Sequence, residues 1–351
     1  MDIIKKIKDA QLVGRGGACF PVDVKWQAVK DVESKDKYVI CNASEGEPDV
    51  GKDGYILENH PARVIEGMKL ARQVLEKEAR VKCFIYINHE YYVRYKENLE
   101  EAMGQEDIEF FIKPEESGYI GGEESALLNT MQEERTEPRL KPPFPTTNGL
   151  WGKPTLVNNV ETFYNVSLVH HEEYENKRFY TLNGKVKNKG VYEFPVDRSI
   201  EKILKETGNY PSFDFFVQVG GGASGPVLNS KQLKRRAEGA GSITVYKVSG
   251  HSPRQMLRQW LRFFINESCG QCTTCREGVY RLTELMNKEK VNWHLAEEIL
   301  DNLKETSFCG LGCAVPVPIT SYINNVLSRI DAQKIKLSSR EKERICHCFN
   351  K

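Results

Sequence analysis

The segment VKCFIYI (81–87) decides the fold class, because it is a short run of β-branched and aromatic residues between two helical patterns. Before it, Val64, Met68, Ala71 and Leu75 recur at steps of four, three and four. That spacing places the four side chains on one face of a helix. The segment is therefore predicted to be a strand that follows a helix.

The same alternation extends on both sides of this strand. YVIC (38–41) is an apolar run before the helix, and 92–103 has a helical pattern that leads to a third apolar run at 108–112. Strand, helix, strand, helix, strand predicts right-handed βαβ units and a parallel sheet. Ligands of such α/β sheets bind in loops beyond the carboxyl ends of the strands, and the unusual loops of this chain fall there.

The pattern changes twice in the rest of the chain. A Pro/Gly-rich connector at 138–154 is followed, from Phe179, by short β-type pieces that predict a small antiparallel or mixed sheet. Ser252 and Pro253 form a good helix start, with Ser as the N-cap and Pro in the first turn. The residues after them predict a helical bundle.

Charge and hydropathy exclude several functional classes. The 351 residues carry 50 Lys+Arg against 49 Asp+Glu, a formal net charge of +1, which argues against a nucleic-acid partner bound through a large basic surface. The first residues lack the apolar core of a signal peptide, and no apolar run reaches transmembrane length. We expect a cytoplasmic protein without direct membrane insertion, soluble or peripheral to a membrane through a complex.

Cysteine is the anomaly of the composition, with ten in the chain. Cys269, Cys272 and Cys275 form a C-x2-C-x2-C run, a spacing at which three thiolates can bind one face of a 4Fe-4S cluster. Cys309, in a glycine-containing loop, is the best candidate for the fourth ligand. A structural zinc site is the alternative, although zinc favours paired CxxC or Cys/His spacings.

The other cysteines carry weaker signals. Cys313 is a less suitable fourth ligand than Cys309, and Cys346 and Cys348 flank a histidine in a tail that either binds metal or faces solvent. Cys19, Cys41 and Cys83 are most simply small buried side chains.

Four loops carry glycines, carboxylates or amides. GRGGACFP (14–21) could present N–H groups to a phosphate or form a structural turn. NASEGEP (42–48) offers two carboxylates and an amide, and VNNVE (157–161) pairs two amides that could bind a heterocycle. Glu123 and Glu124 open a helix, where the helix dipole alone favours acids. GGGASG (220–225) matches G-x-G-x-x-G formally, but no helical pattern follows it, so it does not indicate a dinucleotide site.

Taken together, these segments resemble the NADH-binding flavoprotein subunit of respiratory complex I. They also resemble the β-subunits of NAD-linked formate dehydrogenases and electron-bifurcating hydrogenases. The matching segments occur in the family's order and are GRGGACFP (14–21), KW (25–26), NASEGEP (42–48), GYIGGEESALL (118–128), RLKPPFP (139–145), GKPTLVNNVET (152–162), ESCGQCTTCREG (267–278) and CGLG (309–312).

The resemblance implies three domains and a tail. They are a Rossmann-like α/β domain for FMN at 1–172, a ubiquitin-like β-grasp domain at 173–249, a helical domain with one 4Fe-4S cluster at 250–335, and a tail at 336–351. It also implies an NAD(P)H:acceptor oxidoreductase that exchanges hydride with NAD(H) and passes single electrons through the cluster. The implied partners are a thioredoxin-like 2Fe-2S subunit and further redox subunits.

The resemblance also assigns site residues, with no side chain as acid or base because the flavin carries the chemistry. The residues implied around FMN are Gly14, Arg15, Gly16, Lys25, Asn42, Glu45, Gly122, Glu123, Val157, Asn158 and Asn159. Those implied on the nucleotide side are Phe20, Glu47, Glu124, Lys141 and Phe144. The implied cluster ligands are Cys269, Cys272, Cys275 and Cys309.

Two departures from the family leave the electron donor open. Ser44 stands where the family usually has Asp, and Ala28 replaces an aromatic residue common shortly after Lys-Trp. The sequence therefore leaves NAD, NADP or another donor possible. Two alternatives remain: an FMN/iron–sulfur relay with a non-nicotinamide donor, and an iron–sulfur scaffold that has lost the flavin.

Overall fold

A computed structural model describes residues 2–77, 79–250 and 252–327 of the chain. These residues form two compact units. The first comprises 2–46, 50–180 and 191–196, and the second comprises 47–49, 181–190 and 197–327. The predicted tail, with Cys346 and Cys348, lies outside the described residues.

The first unit alternates helices and strands as the sequence predicts. Its elements are α1 (Ile3–Asp9), α2 (Val22–Lys30), β1 (Asp36–Ala43), α3 (Lys52–Asn59), α4 (Pro61–Leu75), β2 (Arg80–Asn88), α5 (His89–Met103), β3 (Ile108–Lys113), α6 (Glu124–Met131), β4 (Thr155–Asn159) and α7 (Val160–His170).

The sheet of the first unit is parallel throughout, with strand order β3-β2-β1-β4. This confirms the α/β class and the three predicted strands. The fourth strand was not predicted, because TLVNN is short and ends in two asparagines. It pairs with β1 so that Ile40 lies beside Val157 and Asn42 beside Asn159. The carboxyl ends of β1 and β4, and the two amide-rich segments, therefore meet at one edge.

The predicted apolar face of the 64–75 helix is buried. Val64, Met68, Ala71 and Leu75 are each 2% exposed or less and belong to a core shared with α7. Pro61 occupies the first turn of α4, where its missing N–H costs nothing.

Strands β5 (Lys177–Gly184) and β6 (Gly190–Pro195) follow α7. The second unit then contains α8 (Ile200–Glu206), β7 (Phe215–Val219), β8 (Val227–Asn229) and β9 (Ser242–Lys247), followed by α9 (Pro253–Glu267), α10 (Thr273–Asn287), α11 (Trp293–Thr306), α12 (Gly310–Ala314) and α13 (Pro316–Tyr322).

The second sheet is mixed, with strand order β6-β5-β9-β7-β8. Strand β9 is parallel to β5 and antiparallel to β7. The helical region after Ser252 is confirmed. In it, Trp260 of α9 is buried and donates from Nε1 to the Gly222 carbonyl over 3.2 Å. No helix in the described part of the chain is long and apolar enough to cross a membrane.

The close crossing of α4 and α7 depends on Gly67. A Cβ added there would lie 2.1 Å from the Phe163 carbonyl oxygen, well inside van der Waals contact. The two helix backbones therefore touch at this point, and neither can shift without moving the core between them.

We expect Gly67→Ala to lower the free energy of unfolding by about 2–4 kcal/mol, because the added methyl group must push two backbones apart. Denaturant unfolding measures this loss. Gly250→Ala is the matched control, since a Cβ there meets only the Lys247 side chain, at 3.9 Å. A loss no greater than that of the control would contradict the close crossing.

Candidate functional site

The loops after β1 and β3 meet through the side chain of Asn42. Its Nδ2 donates to the Gly122 carbonyl over 2.8 Å, and its Oδ1 accepts from Ser44 Oγ over 2.7 Å. Ser44 thus orients the amide of Asn42 where its family relatives usually carry a carboxylate. Gly122 has room for this approach because it lacks a Cβ, which would lie 3.1 Å from Ser44 Oγ.

The glycine loop joins the same edge through its backbone. The Arg15 N–H donates to Thr162 Oγ1 over 2.9 Å, and a Cβ on Gly16 would lie 3.2 Å from the Asn159 Cβ. The Gly14 N–H donates to the Phe20 carbonyl over 2.9 Å, which closes the loop.

The Arg15 side chain is committed elsewhere in the first unit. It is 5% exposed, and its guanidinium donates to the Tyr174 hydroxyl and to Asn176 Oδ1, over 2.9 and 3.3 Å. Arg15 can therefore contribute to the glycine loop mainly through its backbone N–H.

Helix α2 supplies two polar contacts to β4. Lys25 Nζ donates to the Val157 carbonyl over 2.9 Å, and Trp26 Nε1 donates to Asn158 Oδ1 over 3.0 Å. The Lys-Trp pair thus fixes the last residues of β4. The role of Trp26 was not predicted.

The two acids at the start of α6 face two lysines. Glu123 is the N-cap, and its Oε2 accepts from the N–H groups of Ser125 and Ala126. Glu124 accepts from Lys25 over 2.6 Å, and Lys141 contacts Glu123 over 2.7 Å and Glu124 over 3.2 Å. The acids therefore do more than favour a helix start, since both belong to a charge-balanced group of two cations and two carboxylates.

A buried ammonium group lies beneath this edge. Lys52 is 2% exposed and forms ion pairs with Asp53 and, over 3.2 Å, with Glu161. It also donates to Asn159 Oδ1, while Asn159 Nδ2 donates to Asp53 over 2.6 Å. Burial lowers the pKa of Lys52, but the carboxylates of Asp53, Glu161 and Glu45 raise it further, so the ammonium stays charged.

Glu45 is the half-buried carboxylate of this group. It accepts from the Asp53 N–H and from the Tyr91 hydroxyl, the latter over 2.7 Å. Burial and the nearby Asp53 charge raise the pKa of Glu45 to about 7, although Lys52 and both hydrogen bonds lower it. Glu45 can therefore change protonation near neutral pH.

Lys52, Asp53 and Glu161 were missed at the sequence level. One signal was present: Glu161 begins a helix, VETFYNVSLVH, that is otherwise mostly apolar. An acid among residues that must be buried calls for a cationic partner. The adjacent Lys52 and Asp53 gave no such signal, because charged pairs at a helix start are usually solvated.

We expect Lys52→Met to lower the free energy of unfolding by about 3–5 kcal/mol, because it leaves two buried carboxylates without a cation. Adding Glu161→Gln should recover part of the loss in the double variant. Lys69→Met is the control, since Lys69 pairs with Glu106 at the surface and should cost less than about 1 kcal/mol. Denaturant titrations compare them, and equal losses for the two lysines would refute the role of Lys52.

The predicted nucleotide-side aromatics are exposed. Phe20 is 51% exposed and Phe144 is 53% exposed, which is unusual for phenylalanine in a protein with a large core. Both rings thus have surface available for a base to stack on.

Glu47 lies in the second unit, where it is buried against the glycine loop 220–225. Its Oε1 accepts from the N–H groups of Ala223 and Ser224 over 3.0 and 2.9 Å. A Cβ on Gly221 would lie 2.3 Å from this oxygen. The formal G-x-G-x-x-G match therefore binds an anion, but that anion is the protein's own Glu47 carboxylate.

The four predicted cluster cysteines lie near one another in the second unit. Cys269 follows α9, Cys272 caps α10, and Cys275 lies in its first turn. Cys309 precedes α12. Burial raises the pKa of Cys275, which Ser268 lowers and the Cys272 and Cys269 thiols raise.

Cys309 is electrostatically close to the tandem cysteines. Burial raises the pKa of Cys309 to about 11; the N–H groups of Leu311 and Gly312 lower it, and the Cys269 and Cys275 thiols raise it. A Cβ on Gly312 would lie 3.2 Å from the Cys275 Cβ, so the glycine permits this approach. Four converging thiols, with N–H donors to one sulfur, fit a 4Fe-4S cluster.

The other described cysteines have different surroundings. Cys313 Sγ contacts the Ser307 carbonyl at 3.7 Å. Cys41 and Cys83 are buried, as predicted, whereas Cys19 is exposed, contrary to the expectation. Cys19 lies in the glycine loop with φ +53°, and this loop conformation turns it outward.

We expect Cys309→Ser to lose most of the iron and sulfide bound per chain, because serine is a poor cluster ligand and the remaining three thiolates are insufficient. Cys313→Ser should keep both at the unaltered level. Iron and sulfide analysis of anaerobically purified protein distinguishes the two. Iron lost from the Cys313 variant and kept in the Cys309 variant would reverse the assignment.

Two sequence families match the chain. Residues 7–168 match the Nuo51 FMN-binding domain, and residues 255–333 match the NADH-ubiquinone oxidoreductase-F iron–sulfur binding region. The donor set at the carboxyl edge, with side-chain amides, backbone N–H groups and glycines without Cβ atoms, fits a flavin phosphate and ring.

Individual relatives agree with these matches. The NuoF-type chain of the NADH-quinone oxidoreductase of Aquifex aeolicus is 33% identical over 89% of this chain and 81% of that protein. NADP-reducing hydrogenase subunit HndC of Solidesulfovibrio fructosivorans is 29% identical over 94% of this chain and 76% of its own length. A solved NAD+-reducing [NiFe]-hydrogenase chain superimposes with a TM-score of 0.84 at 29% identity, covering 96% of this chain.

This chain spans 63% of that hydrogenase chain. The identity and coverage of the Aquifex relative establish the family. The chain therefore belongs to the NuoF family of NADH-quinone oxidoreductases, the FMN- and iron–sulfur-binding oxidoreductase subunits that react with NADH and pass electrons to partner subunits.

Proposed function

We propose that the first unit binds FMN at the carboxyl edge of β1 and β4 and exchanges hydride with NAD(H) there. The observation that carries this proposal is the convergence of Asn42, Asn159, Gly122 and the glycine loop through the contacts described above. Bound FMN supplies the conversion between a hydride and single electrons. The task of the chain is to bind, orient and electrostatically tune.

The proposed flavin residues divide by the kind of contact they can offer. Backbone N–H groups and open space come from the glycines, amides from the asparagines, and charge from Lys25 and the acids. The proposed set is Gly14, Arg15, Gly16, Lys25, Asn42, Glu45, Gly122, Glu123, Val157, Asn158 and Asn159. Glu45 has a pKa of about 7, so this carboxyl can hold or release a proton as the local charge changes.

For the nucleotide we propose Phe20, Glu47, Glu124, Lys141 and Phe144. The exposed rings of Phe20 and Phe144 suit stacking on a base, and Lys141 is the cation available to a phosphate. Glu47 already binds the N–H groups of Ala223 and Ser224, so its role would use the other carboxylate oxygen.

For the cluster we propose Cys269, Cys272, Cys275 and Cys309, with electrons leaving to a thioredoxin-like 2Fe-2S subunit and further redox subunits of a complex. The N–H groups of Leu311 and Gly312 would favour negative charge on the Cys309 sulfur. We also propose a cytoplasmic location, peripheral to a membrane where the complex is membrane-bound.

The predicted domains remain a proposal: FMN domain 1–172, β-grasp domain 173–249, helical 4Fe-4S domain 250–335 and tail 336–351. Support for a β-grasp comes from the element order β5, β6, α8, β7, β8, β9 and from the parallel pairing of β5 with β9.

The test is anaerobic reduction of the flavin in the purified native complex by NADH and, separately, NADPH. We expect rapid flavin bleaching with one of them. Lys141→Ala should raise the KM for that nucleotide about tenfold, because a phosphate contact is lost at a cost of about 1–2 kcal/mol. Lys153→Ala, an exposed lysine in the next loop, should leave KM unchanged.

Three outcomes contradict parts of the proposal. Flavin that resists both nucleotides but is reduced by a partner subunit favours the relay with another donor, which the serine at position 44 motivates. Iron without flavin in the complex favours the scaffold. An unchanged KM in Lys141→Ala removes that residue from the nucleotide site while leaving the reaction in place.

A further inference from the structure

A second cluster of potential ligands lies in the first unit, formed by α4 and the end of α7. Glu66, His170 and His171 each place one ligand atom so that all three atoms lie within 4.8 Å of one another. The Glu66 Oε1 to His171 Nε2 distance is 2.7 Å. The side chains of Glu66 and His171 are 34% and 40% exposed, so an ion can reach them from solvent.

From this geometry we propose that Glu66, His170 and His171 form a site for a divalent transition-metal ion of the zinc class. Two imidazoles and a carboxylate are a donor set that Zn²⁺ accepts with a fourth position open to water. Small rotations of exposed side chains close the remaining distance to coordination length. Nothing in the electron-transfer function uses this group.

The Glu66 carboxylate is oriented from its far side. Its Oε2 accepts from Ser167 Oγ and lies 3.5 Å from the Arg63 guanidinium, which leaves Oε1 facing His171. Such outer contacts fix the position of a ligating carboxylate. Burial raises the pKa of Glu66, but the hydrogen bonds from Ser167 and His171 lower it more, so the carboxylate is ionised at neutral pH.

Local charge also favours a cation. Arg63 pairs with Glu173 over 2.7 Å, and Lys6 pairs with Glu172 over 2.9 Å. Glu66 is the third carboxylate beside these two cations, so the group carries a net negative charge when the histidines are neutral. His170 and His171 also end α7, where the carbonyl ends of a helix favour positive charge.

Binding would join α4 to α7 on the surface side of the core that they share. The metal would replace the proton that His171 shares with Glu66, so binding releases protons and stabilises the fold by mass action. The site thus provides a metal-dependent clamp on the first unit, separate from the flavin edge and from the cysteines.

The test is a titration of the cluster-loaded protein with Zn²⁺ by calorimetry, in a C346S/C348S background that removes the tail thiols. We expect one ion per chain, with affinity reduced at least tenfold by His170→Asn and by His171→Asn. His294→Asn is the matched control: it is 84% exposed and lies beside a single carboxylate, Glu298. It should bind as the unaltered protein does.

An anomalous-scattering map of Zn²⁺-soaked crystals provides an independent readout, with a peak expected among the three ligand atoms. His170→Asn removes an exposed ring that packs against the neighbouring His171 ring, so the fold should be unaffected. Equal isotherms for His170→Asn and the unaltered protein, or a peak elsewhere, would overturn the proposal.

Discussion

The buried ammonium of Lys52 is the interaction on which the flavin edge depends. A charge in the protein interior is tolerated only with partners of opposite sign and satisfied hydrogen bonds. Here those partners come from α3, from α7 and from the end of β4, so Lys52 brings together segments far apart in the chain. The loops that meet above it can hold polar side chains in fixed positions because the layer beneath them is already fixed.

Much of the fold could be predicted because its signals are periodic. The 64–75 helix and the strands 38–41, 81–87 and 108–112 depend on repeated burial, which leaves a pattern in the sequence. Strand β4 left none, since its partner β1 is distant in the chain and its last two residues are polar. Pairing between distant segments is invisible to local patterns, and the same reason hid the Lys52 partners.

The candidate site shows the same division. Motifs identified the loops and the four clustered cysteines, because their spacing carries chemistry. Motifs could not reveal which polar groups the protein spends on itself. The Arg15 guanidinium binds Tyr174, and the Glu47 carboxylate binds the loop 220–225. Both look like ligand-binding groups in the sequence, and only the three-dimensional contacts show that part of their capacity is already used.

The ion pairs between Lys141 and the acids at the start of α6 make nucleotide binding an exchange. A phosphate that takes the Lys141 ammonium must displace Glu123 and Glu124, so the gain in free energy is the difference between two similar contacts. The displaced carboxylates then become acceptors for hydroxyl groups. Selectivity would therefore come from molecules that carry a phosphate and a sugar at the right separation, since an anion alone leaves the freed acceptors unsatisfied.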